Sequence, residues 1–193
     1  MKRAFVEVNL ARVAENVRRV RSLLKPATKI MGIVKADAYG HGAVEISELL
    51  LSQGVEYLGV AWITEAMQLR RAGITAPILI LSEPVTNVVE DIVQIEVSQT
   101  IYTLPFARAL SAAAVAAHKK VKVHIKVDTG MGRIGVMPED AIQLLASVAR
   151  LEGLEVEGLF THFACADDKA NSFTKVQLDR FQKVVADIAQ EGY

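Results

Sequence analysis

The chain has 193 residues, of which 51% are apolar and 23% are charged, a composition typical of a globular protein with one domain or slightly less than one large domain. Equal numbers of basic and acidic residues, 22 of each, give no support for nucleic acid or an anionic membrane surface as partners. A single cysteine, Cys165, excludes an internal disulfide framework. No segment has the apolar length of a membrane span or a signal peptide. We therefore expect a soluble cytoplasmic protein.

The chain begins with a pattern that has no obvious place in the alternation of strands and helices along the rest of the sequence. Residues 4–8 alternate between apolar and polar side chains, which predicts a strand ahead of the first helix. Asn9 is a suitable N-cap for that helix, whose apolar stripe extends from Val13 to Leu24.

Short β-rich runs then alternate with longer helical patterns along nearly the whole chain. The predicted strands are Ile30–Val34, Tyr57–Val60, Ile78–Leu81, Ser98–Tyr102, Val121–Val127 and Leu154–Phe160. The predicted helices are Val44–Leu51, Thr64–Ala72, Pro105–His118, Glu139–Arg150 and Phe173–Gln190. Repeated βα units of this kind predict an α/β fold with a parallel sheet, either a closed barrel or an open doubly wound layer.

The number of βα units is smaller than a closed barrel requires. A closed (β/α)8 barrel of the TIM type needs eight βα units and about 250 residues, whereas we count roughly six units here. We therefore expect an incomplete TIM-type barrel, the N-terminal part of a longer protein, with a six-unit open sheet as the alternative.

The run from Ile30 to Gly42 carries the clearest chemical signal. Its apolar strand ends in Lys35, and small and turn-prone residues follow. Lysine is rarely buried, and α/β folds build their sites at the carboxyl ends of strands. A partly desolvated amine in that position is suited to a Schiff base with an aldehyde, so we predict that Lys35 is catalytic. His41 follows in the turn, where it either orients its neighbours or caps the next helix.

A glycine-rich loop follows the strand Val121–Val127. Formally it contains G-x-G-x-x-G at Gly130, Gly132 and Gly135, which allows a dinucleotide-binding interpretation. That fingerprint belongs after the first strand rather than the fifth. We favour the interpretation that the glycines supply positive φ angles and that Arg133 points into a site. The planar donors of Arg133 suit a carboxylate or a phenolate oxygen. A surface ion pair is the alternative for Arg133.

Two further residues lie at the same predicted edge. Alternation places Lys122, His124 and Lys126 on one face of their strand, and a lysine inside a covered sheet makes Lys126 a candidate partner for the neighbourhood of Arg133. His162 follows directly on the last strand, so we interpret it as a site residue, although a structural histidine is the common alternative. Cys165 lies near His162 but lacks further close ligands, so no metal site is predicted.

The residues 34–42 resemble the pyridoxal-phosphate attachment signature of the bacterial alanine racemases, enzymes of fold type III. The resemblance continues in residues 126–135, in residues 161–164 and in the intervening residues 76–81, and it covers essentially the entire chain.

The resemblance implies a role for each candidate. Lys35 would carry pyridoxal 5′-phosphate and act as the base on the α-carbon of D-alanine. Tyr39 would contact the cofactor phosphate, and Arg133 would lie between the cofactor phenolate oxygen and the substrate carboxylate. Lys126 matches a position that is carbamylated in several members, which would turn a cation into an anion able to hold Arg133. His162 would lie near the cofactor ring.

The resemblance also implies the biology. The function would be the interconversion of L- and D-alanine, supplying D-alanine for peptidoglycan, by a homodimer whose second base comes from the partner's C-terminal domain. Residues 1–8 would pair with that absent β domain, and residues 9–193 would form part of the cofactor-binding barrel. We expect this chain alone to be an inactive fragment. The alternatives are a single-domain protein of pyridoxal-phosphate homeostasis and a racemase of another amino acid such as serine.

Overall fold

The computed structural model describes residues 5–193, which divide into two compact units, one ending at Leu81 and the other beginning at Ser82. Each unit contains three parallel strands with helices in the connections. The predicted α/β class and the parallel pairing are thus confirmed within each unit. No helix in residues 5–193 is long and apolar enough to cross a membrane.

The first unit begins with the helix Leu10–Ser22, where the side chain of Asn9 accepts a hydrogen bond from the backbone N–H of Arg12 at 3.1 Å, as an N-cap should. Three strands follow, and they are named β1, β2 and β3: Met31–Ile33, Tyr57–Val60 and Ile78–Ile80. They pair in that order, with Gly32 opposite Leu58 and Leu58 opposite Ile78. The helical segments between them are Lys35–Gly40, Ala43–Ser52 and Ile63–Arg71.

The core of the first unit lies around its second and third strands. β3 is buried along its whole length, as an apolar run in a parallel sheet covered on both faces requires. The helix Ile63–Arg71 contributes Ala66 and Leu69, which are both fully buried.

The second unit contains β4, β5 and β6, which span Ser98–Ile101, Val121–Lys126 and Leu154–Phe160. Gln99 lies opposite Val123, and the ladder between β5 and β6 shifts register between Val123 and His124. The longer helices of this unit are Leu104–Ala116, Ala141–Val148 and Phe173–Gln190.

The predicted elements agree with the structure apart from local differences. The bounds of Tyr57–Val60, Leu154–Phe160 and Phe173–Gln190 are identical in both. A 3₁₀ turn and the short helix Val89–Gln94 were not predicted, because six residues are too few for a clear helical period. The expected helix from Glu139 starts instead with a 3₁₀ turn at Pro138–Asp140.

The predicted first strand is not formed by the described residues. Residues 5–8 have no regular secondary structure, and Phe5 and Val6 are 83% and 82% exposed. Residues 1–4 lie outside the described part of the chain. The pairing of residues 1–8 with a further domain stays a prediction.

Candidate active site

Lys35 lies immediately beyond the carboxyl end of β1, as predicted. The parallel ladder continues past the strand, because the N–H of Val34 donates to the carbonyl oxygen of Gly59 at 2.9 Å. Val34 is 1% exposed, whereas Lys35 is half-buried. The buried backbone thus anchors a side chain that solvent still reaches.

After Lys35 the backbone makes one left-handed turn. Residues 36–39 have φ angles between 50° and 55°, and none of them is glycine. The turn is closed by a hydrogen bond of 2.9 Å from the N–H of Ala38 to the carbonyl oxygen of Val34. L-residues visit this region singly as a rule, at about 1–3 kcal/mol each, and such strain clusters at functional sites. The sequence predicts a turn here, but its hand was not predicted.

The side chains of this turn have separate roles. Tyr39 is 61% exposed, so its phenol is open to a ligand. The Oδ1 atom of Asp37 accepts a hydrogen bond of 2.7 Å from the N–H of Ala43 and so caps the following helix. His41 Nδ1 lies 2.8 Å from the carbonyl oxygen of Ala38. Of the two interpretations of His41, orientation of the turn is therefore the one that the structure supports.

In the second unit, Lys126 is buried at the end of β5. It is 4% exposed, and its Nζ lies 5.1 Å from the ring centroid of Phe160, its partner across the ladder to β6. The carboxylate of Glu157 contacts both Lys122 Nζ and His124 Nε2, each at 3.0 Å. The rings of His124 and Phe160 pack edge to face. These contacts confirm that Lys122, His124 and Lys126 share one face of the strand.

Glu157 was not singled out from the sequence. Burial alone would raise the pKa of the Glu157 carboxyl. Hydrogen bonds from Lys122, His124 and Ser98 lower that pKa by more than burial raises it, so the pKa lies below the ordinary glutamate value. The Ser98 hydroxyl donates to Glu157 Oε2 at 2.9 Å. Two glutamates in a mostly apolar strand, next to a strand that carries lysine and histidine on one face, are the signal that could have found it.

The glycine-rich loop folds around the carboxylate of Asp128. Its Oδ1 atom accepts the N–H groups of Gly130 and Gly132 at 2.9 and 3.0 Å, and its Oδ2 accepts that of Arg133 at 3.0 Å. Burial alone would raise the pKa of the Asp128 carboxyl. The hydrogen bonds from the loop lower that pKa by more than burial raises it, so the pKa lies below the ordinary aspartate value. These N–H groups are the ones that would face a pyrophosphate, so the structure does not support the dinucleotide-binding interpretation.

The loop glycines have the conformations that we expected. Their φ angles are 141° at Gly130, 69° at Gly132 and 131° at Gly135. A Cβ atom on Gly135 would lie 2.7 Å from the backbone nitrogen of Asp128. The side chain of Arg133 is exposed. The glycines therefore allow the loop backbone to pass close to Asp128, and the side chain of Arg133 points away from the protein core.

His162 lies in the loop after β6, and a residue that the sequence did not reveal holds this loop. Gln177 is fully buried in the last helix. Its Nε2 donates to the carbonyl oxygen of His162 at 2.9 Å and to Thr129 Oγ1 at 3.2 Å, and its Oε1 accepts the N–H of Ala164 at 2.8 Å. Thr129 Oγ1 also lies 2.8 Å from Thr161 Oγ1. One amide thus joins the loops that carry Arg133 and His162.

The predicted site residues fall into two groups. Lys126, Arg133 and His162 end or follow the paired strands β5 and β6 of the second unit, whereas Lys35 and Tyr39 belong to the first. Among residues 5–193, no group of three or more His, Cys, Asp or Glu side chains is arranged to hold a metal ion. Cys165 lies near Thr174 instead, with Sγ 3.9 Å from Oγ1.

Comparison with known proteins identifies the family. A family model described as the N-terminal domain of alanine racemase matches residues 8–193, a match that spans both units. The chain belongs to the alanine racemase family. Membership assigns it to the TIM-type barrel portion of that fold and favours the incomplete barrel over an open sheet.

Individual relatives agree with this assignment. Alanine racemase 1 of Oceanobacillus iheyensis is 44% identical over 191 residues, which are 98% of this chain and 51% of that protein. The structure of alanine racemase from Clostridium difficile 630 in complex with cycloserine is 38% identical, with a TM-score of 0.89 over 95% of this chain and 50% of that one. A histidine racemase from Leuconostoc mesenteroides is 26% identical, with a TM-score of 0.83 over 90% of this chain and 46% of that one. The chain spans about half the length of the relatives that it matches.

Proposed function

We propose that this chain is the barrel portion of a cytoplasmic alanine racemase that uses pyridoxal 5′-phosphate to interconvert L- and D-alanine and so supplies D-alanine for peptidoglycan. The observation that carries the proposal is the half-buried Lys35 at the carboxyl end of β1, within a family match that covers residues 8–193.

The residues present fit this cofactor. Lys35 offers a partly accessible amine, Tyr39 offers an exposed phenol for the phosphate, and Arg133 offers exposed guanidinium donors. Lys35 would hold pyridoxal phosphate through its amine until the amine of the substrate replaces it, and the bound cofactor would supply an electron sink for the α-carbon of the amino acid.

The remaining chemistry belongs to the side chains of the protein. Lys35 takes and returns a proton on one face of the α-carbon. Arg133 orients the cofactor phenolate oxygen and the substrate carboxylate, since its planar donors match both. Lys126 is 4% exposed, and its carbamylation, in which the amine adds carbon dioxide and loses a proton, would turn a buried cation into an anion able to hold Arg133. His162 would lie beside the cofactor ring.

Racemisation also needs a group that transfers a proton on the opposite face. We place this second group in the remaining half of the relatives' length, contributed by the partner subunit of a homodimer. On this basis residues 1–193 alone bind the cofactor weakly at best and do not racemise alanine at the rate of the full-length protein.

Two lysines that flank β1 test the cofactor site. The full-length protein is incubated with pyridoxal phosphate, reduced with borohydride and digested for peptide mass spectrometry. We expect one adduct per subunit on Lys35, no adduct in Lys35→Ala, and unchanged labelling in Lys29→Ala, whose side chain is exposed and lies over the ring of Tyr57. Scattered labelling, or an adduct that survives in Lys35→Ala, would contradict the proposal.

The similarity to a histidine racemase supports a second candidate, a racemase of another amino acid. Racemisation of L-alanine, L-serine and L-histidine is followed by chiral chromatography. We expect the highest kcat/KM with alanine. A higher kcat/KM with serine or histidine would favour the second candidate, and labelling of Lys35 without any turnover would favour cofactor homeostasis.

A further inference from the structure

The left-handed turn after Lys35 needs support from outside itself. Residues 36–39 are all L-residues with φ angles near 50°, a conformation that persists only where the surrounding structure imposes it. The backbone hydrogen bonds of Ala38, His41 and Gly42 are made within residues 34–42, so they only close the turn. Asp37 attaches the turn to the helix that follows it, through the N–H of Ala43.

At its other end, next to Lys35, the turn is attached to the helix Ile63–Arg71. The N–H of Ala36, the residue next to Lys35, donates to Glu65 Oε1 at 2.6 Å. Glu65 lies in the first turn of the helix Ile63–Arg71, half-buried. Such short N–H···O distances are typical of bonds that a charged carboxylate accepts.

The second oxygen of the same carboxylate holds the adjacent strand end. Glu65 Oε2 accepts the N–H of Ala61 at 2.6 Å and that of Trp62 at 3.1 Å, directly after β2. One side chain thus fixes the backbone that follows β1 to the backbone that follows β2, the strand with which β1 pairs.

We propose that Glu65 is a positioning residue for Lys35, because its carboxylate holds the left-handed turn and with it the direction of the Lys35 side chain. The inference rests on the proposed function, in which Lys35 carries the cofactor. Glu65 acts through the backbone of Ala36 and is not itself a catalytic residue.

The chemistry of the carboxylate makes the proposal specific. Backbone N–H groups donate to both oxygens of Glu65. A carboxylate suits this arrangement because both of its oxygens accept hydrogen bonds and neither donates one. In Glu65→Gln one of the two sides would meet an amide NH₂ group, so one attachment must be lost. Glu65→Asp keeps both acceptors but shortens the side chain by one methylene, so it cannot span both strand ends fully.

The chain offers a matched control at the other end of the same strand. Glu56 is also half-buried, and its Oε2 accepts the N–H of Ile30, directly before β1, at 2.8 Å. It also pairs with Arg21 at 3.0 Å. Glu56→Gln therefore removes a carboxylate that anchors β1 at the end away from Lys35.

The test compares cofactor binding in the full-length wild-type protein, Glu65→Gln and Glu56→Gln. Affinity for pyridoxal phosphate, the near-ultraviolet circular dichroism of the bound cofactor, and borohydride labelling of Lys35 are measured together with kcat and KM for L-alanine. We expect Glu65→Gln to lower cofactor affinity and kcat by about tenfold to a hundredfold, and to change the dichroic band, because misplacement of a reacting group by about 1 Å has effects of this size. Glu56→Gln should lower the unfolding temperature yet keep the affinity and the dichroic band of the wild type.

Equal affinity and an unchanged dichroic band in Glu65→Gln would overturn the proposal, and so would the same losses in Glu56→Gln. If the glutamine variant does not fold, Glu65→Asp and Glu56→Asp replace the pair, with the same expectations at smaller amplitude. Absence of Lys35 labelling in the wild type would instead overturn the proposed function, so the two failures are distinguishable.

A rescue experiment separates the turn from a general effect of charge. Glycine adopts positive φ angles without penalty, so Ala36→Gly reduces the need for outside support. In the Glu65→Gln background, Ala36→Gly should recover part of the lost cofactor affinity. No recovery would show that Glu65 does not act through the turn.

Discussion

The Nε2 atom of Gln177 donates a hydrogen bond to the carbonyl oxygen of His162 at 2.9 Å, so the last helix holds the loop that follows β6. The same amide contacts Thr129, near the start of the Arg133 loop. Two candidate site residues therefore depend on a side chain about one helical turn into the helix Phe173–Gln190.

Replacement of this amide should destabilise the protein. Gln177→Leu keeps a similar volume but removes an amide, itself fully buried, from the N–H of Ala164, the carbonyl oxygen of His162 and the buried hydroxyl of Thr129. We expect a loss of about 1–3 kcal/mol in the free energy of unfolding, measured by denaturant titration. Gln182→Leu, at an exposed position of the same helix, should stay within about 0.5 kcal/mol of the wild type. Equal effects of the two variants would contradict this account.

The carboxylate of Asp128 should be required in its charged, acceptor-only form. In Asp128→Asn, an NH₂ group replaces one acceptor, so the N–H groups of Gly132 and Arg133 cannot both keep their bonds. We expect a loss of about 1–3 kcal/mol in unfolding free energy and a raised KM for L-alanine, since Arg133 would be held less firmly. Asp167→Asn, at an exposed position, serves as the control. An unchanged unfolding midpoint in Asp128→Asn would refute the role.

The glycines of the loop should differ in their tolerance of a methyl group. At Gly135 a new Cβ would meet the backbone of Asp128 at 2.7 Å, and backbone cannot move aside as a flexible side chain can. A new Cβ at Gly132 would have no atom within 4 Å apart from those of its chain neighbours, so only the positive φ angle disfavours alanine there. We expect Gly132→Ala to lose about 1 kcal/mol and Gly135→Ala to lose more, by thermal unfolding. The reverse order would mean that the close approach at Gly135 is not present in solution.

The lowered pKa of Glu157 gives a pH dependence with a definite sign. Because the pKa in the folded protein is below that in the unfolded chain, Glu157 stabilises the fold above about pH 4.3, the ordinary glutamate value. The stabilisation is lost as the pH falls through the folded pKa. Glu157→Gln should therefore be less stable than wild type at pH 7, and the difference should shrink below about pH 4.3. Unfolding midpoints across the range from acid to neutral pH test this, and a constant difference would exclude it.

Much of the architecture could be predicted from the sequence because apolar period and turn residues report local structure directly. The strand Tyr57–Val60 and the helix Phe173–Gln190 have the predicted bounds, and Lys35 lies at the predicted strand end. Asn9 has the capping role that its residue type indicates.

The supporting contacts could not be predicted, because they depend on pairs far apart in the chain. Glu65 lies 29 positions from Ala36, and Gln177 lies 48 positions from Thr129. The hand of the turn at residues 36–39 could not be predicted for another reason. Its alanines, aspartate and tyrosine have no intrinsic preference for positive φ that would outweigh the surrounding fold.

The hand of that turn has a stereochemical consequence. For a residue of the opposite configuration, positive φ angles are the relaxed state, because the steric map of a D-residue is the mirror image of that of an L-residue. A semisynthetic protein with D-alanine at position 36 or 38 should thus have a free energy of unfolding at least as large as that of the natural chain. The same exchange in the right-handed helix Leu104–Ala116 would disrupt it.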